Sequence, residues 1–277
     1  MKKLFYISAA IAALAAVLYF LVLPDVSRLR KENPKKTSMM EYNEALKKKG
    51  ARHSGYQVWQ VWSPLTNVSP YLVKAVVIAE DDKFYSHEGF DFEGMREALE
   101  KNIKAKKFRA GGSTISQQLV KNLYLTPQRS LLRKLREFLI TLKMERTLSK
   151  RRIMELYLNV AEWGDGIYGA EAASRHYFNK SALYLTPEEA ARLAAVLPSP
   201  VRYNAAGDQQ FVTKRAAMIY DIMVKRGIVV EDYDAEDEDE ADAGASSIAP
   251  ESPQASPQAN TIPAEAPQKS PQAISFK

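Results

Sequence analysis

The sequence predicts a mainly α-helical domain set between an apolar N-terminal segment and a low-complexity C-terminal tail. Three observations carry this. Helix-start motifs recur between Ser63 and about Gly227, each followed by apolar residues at helical spacing. Leu4 to Leu23, "LFYISAAIAALAAVLYFLVL", contains no charged residue and is long enough to cross a ~30 Å hydrocarbon core. From Glu231 onward, short SPQA and APQ units and a run of acids leave almost nothing with which to build a core. The organisation read from this is a cytoplasmic N-terminus and transmembrane anchor over 1–24, a juxtamembrane connector over 25–62, a catalytic-sized domain over 63–228 and a disordered tail over 229–277.

Taken in order, the N-terminal segment reads as a retained anchor. A secretory signal would have a shorter apolar region and a small-residue cleavage site, and "LVLPDVSRL" offers none. Its orientation is not set by charge, because Lys2 and Lys3 on one side face Arg28, Arg30, Lys31, Lys35 and Lys36 on the other. "YQVWQVW", Tyr56 to Trp62, has strand-like alternation and reads as a short connector. Ser69-Pro70 is an N-cap with a first-turn proline, opening "YLVKAVVIAEDD". Thr114-Ile115-Ser116-Gln117 and Thr186-Pro187-Glu188-Glu189 are capping-box patterns. Ser149 caps "KRRIMELYLNVA", where Ile153, Leu156, Tyr157 and Val160 fall on one face, and Pro198 stops the helix carrying Leu193, Ala194 and Leu197.

Charge is distributed unevenly. The tail holds eleven acids and two lysines, a net of −9, so the +6 of the whole chain leaves +15 on residues 1–230. The folded part should therefore meet an anionic partner: nucleic acid, phospholipid or a phosphorylated substrate. The absence of cysteine excludes disulfides and thiolate chemistry.

Three stretches carry chemistry. In the first, the apolar stripe Leu72, Val73, Val76, Val77 continues three and four residues on to Glu80. A carboxylate on a buried face is desolvated, which raises its pKa toward that of a general base or acid, although a buried salt bridge or a cap is also open. Asp81 and Asp82 read as solvated or capping residues, Phe84 as core and His87 as a hydrogen-bonded spacer. Asp82, His87 and Asp91 lack metal-ligand spacing, so no metal site is expected. In the second, "AGGSTISQQLVKN", two glycines lead into a helix N-terminus bearing Ser113 and Thr114, an anion-binding geometry without the Gly-Lys-Ser/Thr of a nucleotide P-loop. Gln117, Gln118, Lys121 and Asn122 form a polar face one turn on; a well-capped surface helix is the alternative. In the third, "RSLLRKLREFLITLKMERTLSK", Leu131, Leu132, Leu135, Leu139 and Leu142 make an apolar stripe that reads as core, with Arg133, Lys134 and Glu137 off it. Spacing alone leaves open whether these three clamp a pyrophosphate or form a surface ion pair.

In combination, "EDDKFYSHEGFD", "GGSTISQQLVKN", "RKLREFLITLKMERTLSKRRIMELYLN" and "GIYGAEAASRHYFNK" follow one another in the order of the peptidoglycan glycosyltransferases, glycosyltransferase family 51. The resemblance spans roughly residues 65–205, and "NVAEWGDGIYGAEAASRHYF" is most similar to the monofunctional biosynthetic branch. Ser-x-x-Lys and Lys-Thr-Gly, the marks of a penicillin-binding transpeptidase domain, do not occur. The resemblance implies a lysozyme-like, mainly α fold and inverting polymerisation of lipid II into β-1,4-linked glycan with release of undecaprenyl pyrophosphate. It implies Glu80 as catalytic base and Glu137 as the second carboxylate, acting at the donor's sugar-pyrophosphate. Lys121, Arg133 and Lys134 take the place of pyrophosphate contacts, and Ser113, Gln118 and Asn122 that of the polar wall; Asp81, Phe84 and His87 complete the first motif.

It implies further that no cofactor is tightly bound, with Mg²⁺ assisting at the substrate pyrophosphate. Partners are then lipid II, the growing lipid-linked glycan, the membrane and other cell-wall synthesis proteins, and no nucleic acid. The location is the bacterial inner membrane, N-terminus in the cytoplasm and catalytic domain in the periplasm. Two other readings compete: a lysozyme-like enzyme that cuts glycan strands, and a non-catalytic scaffold that binds lipid II. "NLYLTPQRSLLRKL", Asn122 to Leu135, mixes leucines, tyrosine and basic residues; it suits either an interfacial segment or an ordinary loop. "LSKRR", Leu148 to Arg152, is a basic patch on an amphipathic helix.

Overall fold

A computed structural model describes residues 2–21, 23–105, 112–128 and 130–229. The acidic, proline-rich tail expected over 229–277 lies, apart from its first residue, outside the described residues, as do Ala110 and Gly111 of the second motif. The described chain is mainly helical. Its helices are α1 (Lys2–Leu21), α2 (Ser38–Lys48), α3 (Pro70–Glu80), α4 (Phe92–Ala105), α5 (Ile115–Tyr124), α6 (Leu131–Thr147), α7 (Lys150–Val160), α8 (Ala170–Phe178), α9 (Pro187–Val196) and α10 (Gln210–Lys225). Among the described residues no helix is both long and apolar enough to cross a membrane.

The helix starts follow local chemistry. Thr114 accepts from the Gln117 amide while the Gln117 side chain accepts from the Thr114 amide, and Thr186 and Glu189 do the same at α9. Ser149 Oγ accepts from Arg152 N at α7, and Ser130 Oγ from Arg133 N at α6. At α3, Pro70 occupies the first turn, but Ser69 makes no side-chain cap: its hydroxyl donates instead to Leu185 O at 2.9 Å, tying α3 to the segment before α9. Helix α9 ends at Val196, two residues before Pro198.

The core lies where α9 packs between α3 and α10, and where α5 packs against α6 and α7. Four alanines of α9, Ala190, Ala191, Ala194 and Ala195, are buried and let its neighbours approach closely. Residues 25–62 join this unit: Val26, Leu29, Met40 and Tyr56 are buried, and the strand-like stretch yields only β1 (Trp59–Gln60). That strand runs parallel to β3 (Ile167–Tyr168), which pairs antiparallel with β2 (Glu162–Gly164), giving the order β1-β3-β2. Much of the "LSKRR" charge is used inside the protein. Arg152 donates to Leu29 O, Glu32 O and Asn33 Oδ1, and Lys150 pairs with Glu145 at 2.9 Å.

Helix α6 reverses one expectation. Leu131, Leu132 and Leu135 are exposed, at 91%, 64% and 44%, whereas Glu137 is only 3% exposed. The inward face of α6 is Glu137, Ile140, Thr141 and Met144. A leucine stripe reports amphipathicity but not which face meets the core, and here its N-terminal half faces out.

Candidate active site

Glu80 is the last residue of α3, on the same face as buried Leu72, Val76 and Val77. Gln118 Nε2 donates to its Oε2 at 2.8 Å, and Arg215 Nη2 approaches its Oε1 at 3.4 Å. Burial pushes the Glu80 carboxyl above the usual carboxylate range, and the Gln118 bond and the Arg215 and Lys121 charges only partly offset this. Tyr157 OH donates to Gln118 Oε1 at 3.2 Å. Burial holds the Tyr157 phenol well above its ordinary pKa, so it remains a donor. With the Gln118 oxygen so occupied, the amide NH₂ is turned to Glu80, and the tyrosine thereby orients the group that orients the carboxylate.

Asp81 is buried, against the solvated alternative. Its carboxylate accepts from Ile115 N, the first residue of α5, at 3.0 Å and from His87 Nε2 at 2.9 and 3.0 Å. His87 Nδ1 accepts from Gly89 N, so the hydrogen bonds assign the neutral Nε2–H tautomer and this contact is not an ion pair. Burial raises Asp81 as well, against those hydrogen bonds. Phe84 is fully buried beneath the motif, in edge contact with His87 and with the Lys150 ammonium over its ring. Asp82 instead faces outward in a two-bond contact with Arg226 at 2.5 and 2.9 Å. Asp81, Phe84 and His87 thus lock the end of α3 to the start of α5, which fixes Glu80 relative to Gln118.

Two pockets flank the Glu80–Gln118 contact. One is lined by Glu80, Asp81, Asp82, Asp91, Ser113 and Thr114. The other is lined by Gln118, Lys121, Asn122, Tyr157, Glu162 and Tyr168, among others. Gln118 bridges them, since it lines the second and bonds the carboxylate of the first. Gln117, grouped with this polar face by spacing, is buried and turned to Thr114 by the capping box.

Glu137 lies one side of Lys121. It accepts from Arg133 Nη1 at 2.8 Å and from Lys134 Nζ at 2.5 Å, so the trio is an intrahelical pair of charge contacts on a buried carboxylate. Burial pushes the Lys121 ammonium down. The Glu137 and Glu80 carboxylates oppose that shift, and the Arg133 and Lys134 charges add to it. Lys121 therefore sits in the field of both carboxylates and both other cations. Among the described residues no group of three or more His, Asp or Glu could hold a metal ion.

Residues 47–224 match the family model described as Transglycosylase. The chain belongs to the transglycosylase family. It is similar to the biosynthetic peptidoglycan transglycosylase of Dechloromonas aromatica (strain RCB), 53% identical over 163 residues covering 59% of this chain and 71% of that protein. It is likewise similar to the protein of that name from Aromatoleum aromaticum, 51% identical over 185 residues, 67% of this chain and 78% of the other. For that from Alcanivorax borkumensis the identity is 46% over 218 residues, 79% and 85%.

Within this transglycosylase, three site residues were not legible in the sequence. Arg215 reaches Glu80 from 135 residues away, a separation that no local spacing encodes. Tyr157 reads as one more apolar position of α7. Glu162, which lines the second pocket, is raised by burial while Arg52 donates to it at 3.1 Å; it lies in the "NVAEWGDGIYGAEAASRHYF" stretch, but no spacing there marks it as a site residue.

Proposed function

We propose that this chain is a peptidoglycan glycosyltransferase that polymerises lipid II into β-1,4-linked glycan strands, with inversion and release of undecaprenyl pyrophosphate. The observation that carries this is the placing of one desolvated carboxylate, Glu80, and one cation-bound carboxylate, Glu137, in the field of the same half-buried lysine, Lys121. A single in-line displacement needs a base on the attacking hydroxyl and positive charge on the departing group. Glu80 takes the proton of the acceptor's 4-hydroxyl, and its raised affinity for protons suits that task at neutral pH. Lys121, Arg133 and Lys134 hold the pyrophosphate. Glu137 keeps the latter two cations in place and acts at the donor's sugar-pyrophosphate. Ser113, Gln118 and Asn122 bind the substrates' polar groups.

A magnesium ion supplies further charge at the pyrophosphate in the family resemblance. The carboxylates here do not form a cage for one: Glu80 is bonded to Gln118 and Arg215, Asp81 to His87 and Ile115 N, and Glu137 to Arg133 and Lys134. Any such ion is carried by the substrate's phosphate oxygens, and no step is assigned to it.

The uncharged run Leu4–Leu23 anchors the chain in the bacterial inner membrane, N-terminus in the cytoplasm and domain in the periplasm, because lipid II is presented on the outer face. Exposed Phe5, Tyr6, Ile7, Ile11 and Val17 on α1 support this reading. Exposed Leu131, Leu132 and Leu135 support an interfacial role for the segment before Glu137. Other cell-wall synthesis proteins are its expected partners. The competing reading, a glycan-cutting enzyme, leaves Lys121, Arg133 and Lys134 without a leaving group to neutralise. Purified full-length protein in detergent with labelled lipid II and Mg²⁺ is expected to make long, lysozyme-sensitive glycan and to release nothing from purified cell wall. Release of soluble fragments from wall without consumption of lipid II would favour the cutter.

A further inference from the structure

Arg215 lies on α10, which packs against both α9 and α3, and its guanidinium reaches the C-terminus of α3. Its Nη2 donates to Ala79 O at 2.9 Å and contacts Glu80 Oε1 at 3.4 Å. The shorter bond fixes the geometry and the longer one delivers charge. Both targets belong to the last turn of α3, where carbonyls lack intrahelical partners and the helix dipole presents its negative end. A carboxylate in that place meets two penalties, burial and like-signed field. A cation bonded to the same turn offsets both.

The surroundings leave this task to Arg215. From α5, Glu80 is faced by neutral Gln118 and by the Lys121 charge, and from α7 by the neutral Tyr157 phenol; its sequence neighbours turn away, Asp81 to His87 and Ile115 N and Asp82 to Arg226. Among the described residues Arg215 is the cation in direct contact with Glu80.

We infer that Arg215 is a positioning residue for the base: it holds the Glu80 carboxylate in one orientation at the cleft and keeps it ionised until the acceptor hydroxyl is bound. This rests on the reading of Glu80 as base. It assigns to α10, outside all four sequence motifs, a part in the reaction.

The test is the pH dependence of lipid II polymerisation by the full-length protein for wild type, Arg215→Gln, Arg215→Lys and Glu80→Gln, with melting temperatures measured alongside. Arg215→Gln is expected to lower kcat on the order of tenfold at neutral pH with KM little changed. It should also move the acidic limb of the kcat/KM profile upward by about one pH unit, because the carboxylate of the free enzyme loses a neighbouring positive charge. Arg215→Lys should return the limb most of the way. Should the Gln variant not fold, Arg215→Met, which keeps the aliphatic packing and removes the charge, takes its place. A folded, uncharged variant with the wild-type acidic limb, or with its loss confined to KM, would overturn the positioning role. Glu80→Gln separates the two claims. If it keeps wild-type turnover, the base assignment itself fails; if it is inactive while Arg215→Gln is not impaired, only the role of Arg215 fails.

Discussion

At the scale of single residues, the first carboxylate of the Glu80-Asp81-Asp82 run follows from helix geometry. The sequence places Glu80 on the apolar stripe, and the structure finds it there, largely desolvated with its side chain 11% exposed, with Gln118 and Arg215 as its contacts. Neighbouring acids with the same composition have three different fates, because their side chains leave the end of α3 in different directions. Glu80 faces the cleft, Asp81 anchors α5 and Asp82 pairs with Arg226 at the surface. Sequence spacing could single out Glu80 but not the buried state of Asp81, whose partner Ile115 lies 34 residues on. The sign of the pH dependence follows from burial. A base works only when ionised, and the Glu80 pKa is raised, so activity is lost on acidification at a pH above that of an ordinary carboxylate. A pH profile of kcat/KM, which reports the free enzyme, should show its acidic limb above about 4.3, the ordinary glutamate value. A limb at or below that value would mean that a different group governs turnover.

At the scale of elements, turn and cap chemistry set how the second pocket is framed. Gly166 joins β2 to β3 with φ of 77°, and a Cβ there would run into the Gln57 carbonyl oxygen. Its own carbonyl accepts from Trp59 N at 2.8 Å, so one glycine holds β1 and β3 together. The hairpin carries Glu162 and Tyr168 into the pocket wall. Gly166→Ala is therefore expected to cost more than about 1 kcal/mol and to lower the melting temperature, because it combines a disfavoured φ with a backbone clash. Unchanged denaturant midpoints would show that the hairpin relaxes freely. The helices capped at Thr114, Ser149 and Thr186 were legible, since their starts depend on side chains two or three residues away, whereas α2, α4, α8 and α10 were not read from the sequence. The two-residue strand at Trp59 and the outward leucines of α6 were also less legible. Both depend on what the segment packs against, which periodicity does not carry.

At the scale of the whole molecule, charge and apolar surface divide the work. Residues 1–230 carry +15 in net charge, and part of it converges on Lys121, Arg133 and Lys134 around Glu137. Helix α4 exposes Phe92, Met95, Leu99 and Ile103, spaced to share one face, and α6 exposes Leu131, Leu132 and Leu135. Such faces suit an enzyme whose donor and acceptor are both lipid-linked. The cation cluster and the apolar faces each have a bland explanation taken singly. Together with the desolvated Glu80 carboxylate they fit the proposed operation, attack of a sugar hydroxyl on the anomeric carbon of a lipid-linked donor with the pyrophosphate leaving. The most direct measurement compares wild type with Glu80→Gln in lipid II polymerisation at neutral pH, after confirming that both melt at the same temperature. Loss of at least about a hundredfold in turnover by the folded variant is the expected result for removal of a general base. Wild-type turnover by folded Glu80→Gln would contradict the account at its centre.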